Sequence, residues 1–146
     1  MPDKEKLSRY CFINPEINDL RVRLWVDEGL MAGCDLKLYD PDGKEVVEHW
    51  KMATEDGKSV SKYIRKSVKE LSRYVLTWQI VCCGKDPQAE KGRVELHLLQ
   101  GDNSCSMTTP ANWLLDNIPP CAIGKSIVFT ESLVIFFKQK PKENKI

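Results

Sequence analysis

Histidine is scarce in this chain, with only His49 and His97 among 146 residues. An excess of one charge is also missing: 22 Lys and Arg face 21 Asp and Glu, a formal net charge of +1. No global field therefore draws nucleic acid or an acidic membrane to it. Long apolar runs are absent as well. The strongly apolar stretch near the end, Leu133 to Phe137, is far too short to span a bilayer. The opening Met1-Pro2-Asp3-Lys4-Glu5-Lys6 is charged and has no apolar run behind it, unlike a secretory signal. No Asn-x-Ser/Thr sequon occurs. These absences lead us to expect a cytoplasmic protein with no membrane segment.

Ordinary globular composition is present, with 42% hydrophobic and 29% charged residues. The length favours a single domain over 1–146, with flexible ends at 1–9 and 139–146. Such a domain buries roughly two-thirds of its unfolded surface and needs no staple to make a core. The six cysteines are Cys11, Cys34, Cys82, Cys83, Cys105 and Cys121. An even count invites a disulfide framework, but the size and expected compartment favour reduced, buried thiols. Cys82 and Cys83 are adjacent in a strand pattern, so their side chains should face opposite ways.

The period of two dominates. Leu20, Val22, Leu24 and Val26 alternate with Arg21, Arg23 and Trp25. Breaks follow at Glu28-Gly29 and Ala32-Gly33, and Cys34, Leu36 and Leu38 resume the alternation. Asp40-Pro41-Asp42-Gly43 supplies a preset proline φ and a glycine for a positive φ, so Lys44 to Trp50 should return as the second arm of a hairpin. Tyr74 to Cys83 reads as a central strand, apolar on both faces. Arg93 to Gln100 alternates, and we expect it to pair with that strand. Residues 101–124 are irregular, with Asn112 to Asn117 a short strand or helical turn. Ile127 to Phe137 is a final strand, whole or split near Glu131-Ser132.

Between Lys58 and Arg73 two readings compete. Val60, Ile64, Val68 and Leu71 recur at helical spacing, with Lys62, Arg65, Lys66, Lys69 and Arg73 opposite. That pattern fits a short amphipathic helix near 59–73. Four serines, several β-branched residues and no capping box fit an edge strand instead.

Short strands between turn signals predict a mostly β chain, an antiparallel β-sandwich of jelly-roll or immunoglobulin-like type. The run Cys34-Asp35-Leu36-Lys37-Leu38-Tyr39-Asp40-Pro41-Asp42-Gly43-Lys44, with Tyr74-Val75-Leu76 later, resembles the pre-peptidase C-terminal type of jelly-roll domain. The resemblance covers about residues 20–83. It implies an accessory β-sandwich, as found in secreted enzymes. The chain departs from that family in its many cysteines and its lack of a signal.

Chemistry-bearing motifs fail on spacing. Gly124-Lys125-Ser126 ends like a phosphate-binding loop, but Pro119 stands where the first glycine is needed and a strand pattern follows. Counting an EF-hand from Asp40 puts Glu45 at position six and Lys51 at position twelve, where Gly and Glu are required. A looser calcium site would have to recruit Asp35 or Glu48. His97 with Cys82, Cys83 or Cys105 could in principle bind zinc, but no Cys-x2-4-Cys pair exists. No Gly-x-Ser-x-Gly elbow marks a nucleophile. The sequence thus assigns no catalytic, cofactor-binding or metal-binding residue and no cofactor, and leaves the ligand-binding residues unknown.

Two surface features remain. The Lys62, Arg65, Lys66, Lys69, Arg73 stripe would offer five cations if helical; otherwise it is a solvated face. Of the four tryptophans, Trp78 shares a face with Ile80 and should be core, Trp50 and Trp113 could line a groove, and Trp25 projects with Arg21 and Arg23. The leading expectation is a non-catalytic module that binds another protein or itself, not nucleic acid or a membrane. The alternatives are a small-molecule or carbohydrate-binding domain using exposed aromatics and the 101–124 segment, or a small metal-dependent or thiol enzyme.

Overall fold

A computed structural model describes residues 9–54, 59–85, 90–101, 103–107 and 112–137. Of the expected flexible ends, 1–9 and 139–146, all but Arg9 lie outside the described residues, and Arg9 belongs to a strand. Eleven strands follow in order: β1 (Arg9–Ile13), β2 (Arg21–Val26), β3 (Leu30–Tyr39), β4 (Val46–Ala53), β5 (Val60–Tyr63), β6 (Val75–Gly84), β7 (Gly92–Gln100), β8 (Asn103–Ser104), β9 (Ser106–Met107), β10 (Asn112–Leu115) and β11 (Ile127–Phe137).

They form a β-sandwich. One sheet has six strands in the order β4-β3-β6-β11-β1-β9; the other runs β10-β7-β2-β5, with β8 paired to β7. The alternating residues read from the sequence line the space between them: Val22, Leu24, Leu36, Leu38, Leu96 and Leu98 are each no more than 2% exposed. Trp78 and Ile80 join them from β6. Among the described strands the ladders are antiparallel except one: β1 lies parallel to β11, with Arg9 opposite Leu133 and Ile13 opposite Phe137.

The Asp40–Gly43 turn joins β3 and β4 as expected. Asp40 Oδ1 accepts the N–H groups of Lys44 and Glu45, and Gly43 takes a φ of 70°. Ala32-Gly33 does not break the chain. The break is at Asp27–Gly29, and β3 runs straight through Gly33, which sits against Val81. The expected β6–β7 pair does not form. β6 is flanked by β3 and β11, whereas β7 pairs with β2 and β10, so the two strands belong to different sheets.

The amphipathic helix considered for 59–73 is replaced by β5 and a 3-10 turn at Val68–Glu70. Side chains outside the segment take its N–H groups. Glu48 accepts those of Arg65 and Lys66, and Asn18 Oδ1 accepts that of Val68. Arg73 then adopts a φ of 68°, which no helix interior tolerates. Ile64, Val68 and Leu71 are buried all the same, so the apolar spacing was a true core signal carried by a different backbone.

Candidate functional site

Each sheet has one face turned away from the interior, and the two faces differ in chemistry. On the smaller sheet the outward positions are mixed: polar and charged residues are interleaved with Trp25, with Tyr63 at 58% exposed and with Leu114 at 76% exposed. Arg23 stands opposite His97 and Ser61, Trp25 opposite Glu95, and Glu95 opposite Asn112. His97 Nε2 lies 3.4 Å from Glu95 Oε1. Arg21 covers the Tyr63 ring at 5.8 Å and donates to the Gly101 carbonyl. Trp25, the side chain singled out in the sequence, is half-buried in this mixed row.

The outward face of the six-stranded sheet is apolar at both ends. Cross-strand register sets out its rows. Val81 lies between Gly33 and Val128, and Met31 faces Cys83 one rung away. Met31, Val81 and Val128 are 40%, 39% and 53% exposed. At the other end, Val46, Tyr39, Val75, Val134 and Tyr10 follow one another across five strands. Phe136 and Phe12 form the next row, with ring centroids 5.2 Å (Tyr10–Phe136) and 6.2 Å (Phe12–Phe136) apart. Between these ends run two polar rows, Lys51-Asp35-Gln79-Thr130 and His49-Lys37-Thr77-Ser132.

His49 Nε2 contacts Asp35 Oδ1 in that polar band. A His–carboxylate pair can orient a general base, but the first hydroxyl in its row is Thr77, two strands and so roughly 10 Å away. Beside it an open depression of about 530 Å³ is lined by Val47, Glu48, His49, Trp50, Arg65 and Lys66. Glu48 is spent on backbone N–H groups there. Lys66 lies 3.6 Å from Glu70 and 5.4 Å over the Tyr74 ring. Contact with Tyr74, then the charge of Glu70, holds its pKa above the ordinary range.

The structure separates the other candidates. The basic stripe is spread over β5 (Lys62), the turn after it (Arg65, Lys66), the 3-10 turn (Lys69) and Arg73 beyond it, so its residues do not share one helix face. Asp35, Asp40 and Glu48 serve a histidine, a turn and a backbone segment respectively. His97 sits on the outer face of one sheet, while Cys82 points into the core of the other. Among the described residues no group of three or more His, Cys, Asp or Glu is placed to hold a metal ion. Gly124 closes a 3-10 turn and β11 starts at Ile127, so a strand follows Lys125-Ser126. Trp113 does not open a groove. It packs 4.8 Å from Phe129 and 6.3 Å from Trp78, and its Nε1 donates to Glu131.

Sequence reasoning missed the disulfide. Cys83 and Cys121 are bonded, 38 positions apart. As expected, Cys82 and Cys83 face opposite ways, and the outward one reaches the 3-10 turn at Cys121–Ile123. No spacing rule marks that pair. Only the register that lays Gly84 beside Pro120 brings it together. No helix among the described residues is long and apolar enough to cross a membrane. Comparison with family models, with curated proteins and with solved structures finds no match to this chain.

Proposed function

We propose that this chain is a non-catalytic assembly module that pairs with a second copy of itself through the outward face of the six-stranded sheet. The observation that carries the reading is the exposed Val81–Val128 cross-strand pair with Met31 beside it, at one end of a face whose other end is aromatic. Exposed apolar side chains gathered on one face favour association. A net charge of +1 sets up little repulsion between copies. The polar band is self-complementary: Lys37 and Lys51 of one copy can meet Asp35 of another across a two-fold axis. The Cys83–Cys121 bridge favours an oxidising compartment over the cytoplasmic location suggested by the sequence.

Sedimentation equilibrium on the full chain tests the proposal. The wild type should dimerise with rising concentration. The Val81→Lys/Val128→Lys variant should stay monomeric and keep its circular dichroism, and should match the unfolding midpoint of the wild type at dilutions where the wild type is monomeric. A wild type that is monomeric up to its solubility limit, or a variant that still dimerises, overturns it.

A further inference from the structure

We propose that the free edge of β4 takes up an extended acidic segment of a partner protein as an added antiparallel strand. Among the described strands β4, β9, β5 and β10 end the two sheets. β4 has 8 residues, β5 and β10 have 4 each and β9 has 2, so β4 offers the longest edge. It contains no proline to remove a donor from that edge. The Thr54 N–H donates to the Ala32 carbonyl at 2.9 Å. Antiparallel rungs alternate between bonded and unbonded pairs. Counted back along the register, Met52, Trp50 and Glu48 therefore bond to β3, and the backbone groups of Ala53, Lys51 and His49 turn away from it. The irregularity between Leu38 and Tyr39 leaves this stretch in regular register.

The open depression beside His49 follows the same edge. Of its lining residues, Glu48 and Trp50 share the inner face of β4 with Leu38 and Leu36, whereas His49 shares the outer face with Lys37. Successive residues of a strand point to opposite faces, so a hollow lined by both sets runs along the edge between them. Arg65 and Lys66 complete the lining, and the Glu48 carboxylate fixes their backbone there. Half-buried Trp50 adds apolar surface.

Charge selects the occupant. Glu48 is the one carboxylate among these lining residues, and it already accepts two N–H groups. Lys66 lies against Glu70, but no carboxylate among the described residues is within ion-pair distance of Arg65 or Lys51. An added strand sends alternate side chains to the two sides of β4. Those beside Trp50 approach Arg65 and Lys66, where a carboxylate meets two cations. Those beside His49 and Lys51 lie on the outer face, where β-branched side chains suit an edge. Main-chain bonds to His49, Lys51 and Ala53 supply affinity, and the alternate acidic positions supply selectivity. The site lies apart from the apolar ends of the face proposed for self-pairing.

The probe is the peptide acetyl-Glu-Val-Glu-Val-Glu-Val-Glu-amide, titrated into the full chain and followed by calorimetry and amide hydrogen exchange. It should bind and slow exchange at the His49, Lys51 and Ala53 N–H groups. The same residues ordered as one block of glutamate and one of valine should bind about tenfold more weakly, as should the peptide with N-methylated valines. Arg65→Glu should weaken the alternating peptide by a similar factor, about tenfold. Val81→Lys/Val128→Lys should bind it like the wild type. No binding, equal affinity for the block peptide, or protection at β5, β9 or β10 instead of β4 overturns the proposal. So does protection of β4 that grows with protein concentration in the absence of peptide, which would make a second copy the occupant. The wild-type exchange map decides if Arg65→Glu fails to fold.

Discussion

The carboxylate of Glu48 on β4 accepts the backbone N–H groups of Arg65 and Lys66, each at 2.8 Å. One side chain thereby satisfies two adjacent donors that a helix would have paired with its own carbonyls. Glu48→Ala should lower stability by about 1–2 kcal/mol, the lower part of the range for hydrogen bonds to a charged group because the site is partly solvated. Glu48→Gln keeps one acceptor and should cost about half as much. Urea unfolding at neutral pH measures both. Equal midpoints for wild type and Glu48→Ala would mean that the segment holds itself.

That contact also shows why the sequence left residues 58–73 open between an amphipathic helix and an edge strand, of which the strand is present as β5. Val60, Ile64, Val68 and Leu71 have helical spacing, and three of them are buried, but the acceptors that decide the backbone come from Glu48 and Asn18, distant in sequence. Period-two alternation was reliable where one strand face meets the core, as in β2 and in β3 from Cys34 onward. The Asp40–Gly43 turn was legible because its chemistry is local. Partner choice was not. β6 and β7 are consecutive and strongly patterned, yet pattern alone fixes which face is buried and not which strand lies alongside. The Cys83–Cys121 pair and the outward apolar rows depend on the same non-local register.

Gly92 begins β7 beneath Leu30. A Cβ added there would stand 2.4 Å from Leu30 Cδ1 and 3.2 Å from its Cγ. Leu30 is only 3% exposed and has little room to yield. Gly92→Ala should therefore destabilise by about 1–3 kcal/mol. In a Leu30→Ala background the same change should cost almost nothing, a non-additivity expected of residues in contact. Calorimetric unfolding of the four proteins in the cycle measures it; strict additivity would exclude the clash.

The disulfide closes a loop between positions 38 apart, Cys83 and Cys121. Replacing both by serine should cost about 3–4 kcal/mol through the entropy regained by the unfolded chain. The Gly84 N–H should lose protection first, since the single ladder contact of Gly84 with Pro120 sits beside the crosslink. Hydrogen exchange at Gly84, whose N–H donates to the Pro119 carbonyl at 2.8 Å, reports this locally. Unchanged protection there, with a lower global stability, would place the whole effect in the unfolded state.

The core thiols set an alkaline limit on stability. Burial, and then the neighbouring charge of Asp35, pushes Cys34 from 9.0 up to about 12; burial alone takes Cys82 to about 11. A pKa raised by folding means that the native state favours the protonated thiol. The contribution is therefore complete below pH 9, where the unfolded thiols are also protonated. It is lost as the pH rises from there through 11 and 12, because the unfolded chain releases these protons first. The stability difference between the wild type and a Cys34→Ala/Cys82→Ala variant should be flat up to pH 9 and shrink above it. Urea midpoints across that range measure the difference. A gap that stays constant to pH 12 would show that neither thiol is held protonated by the fold.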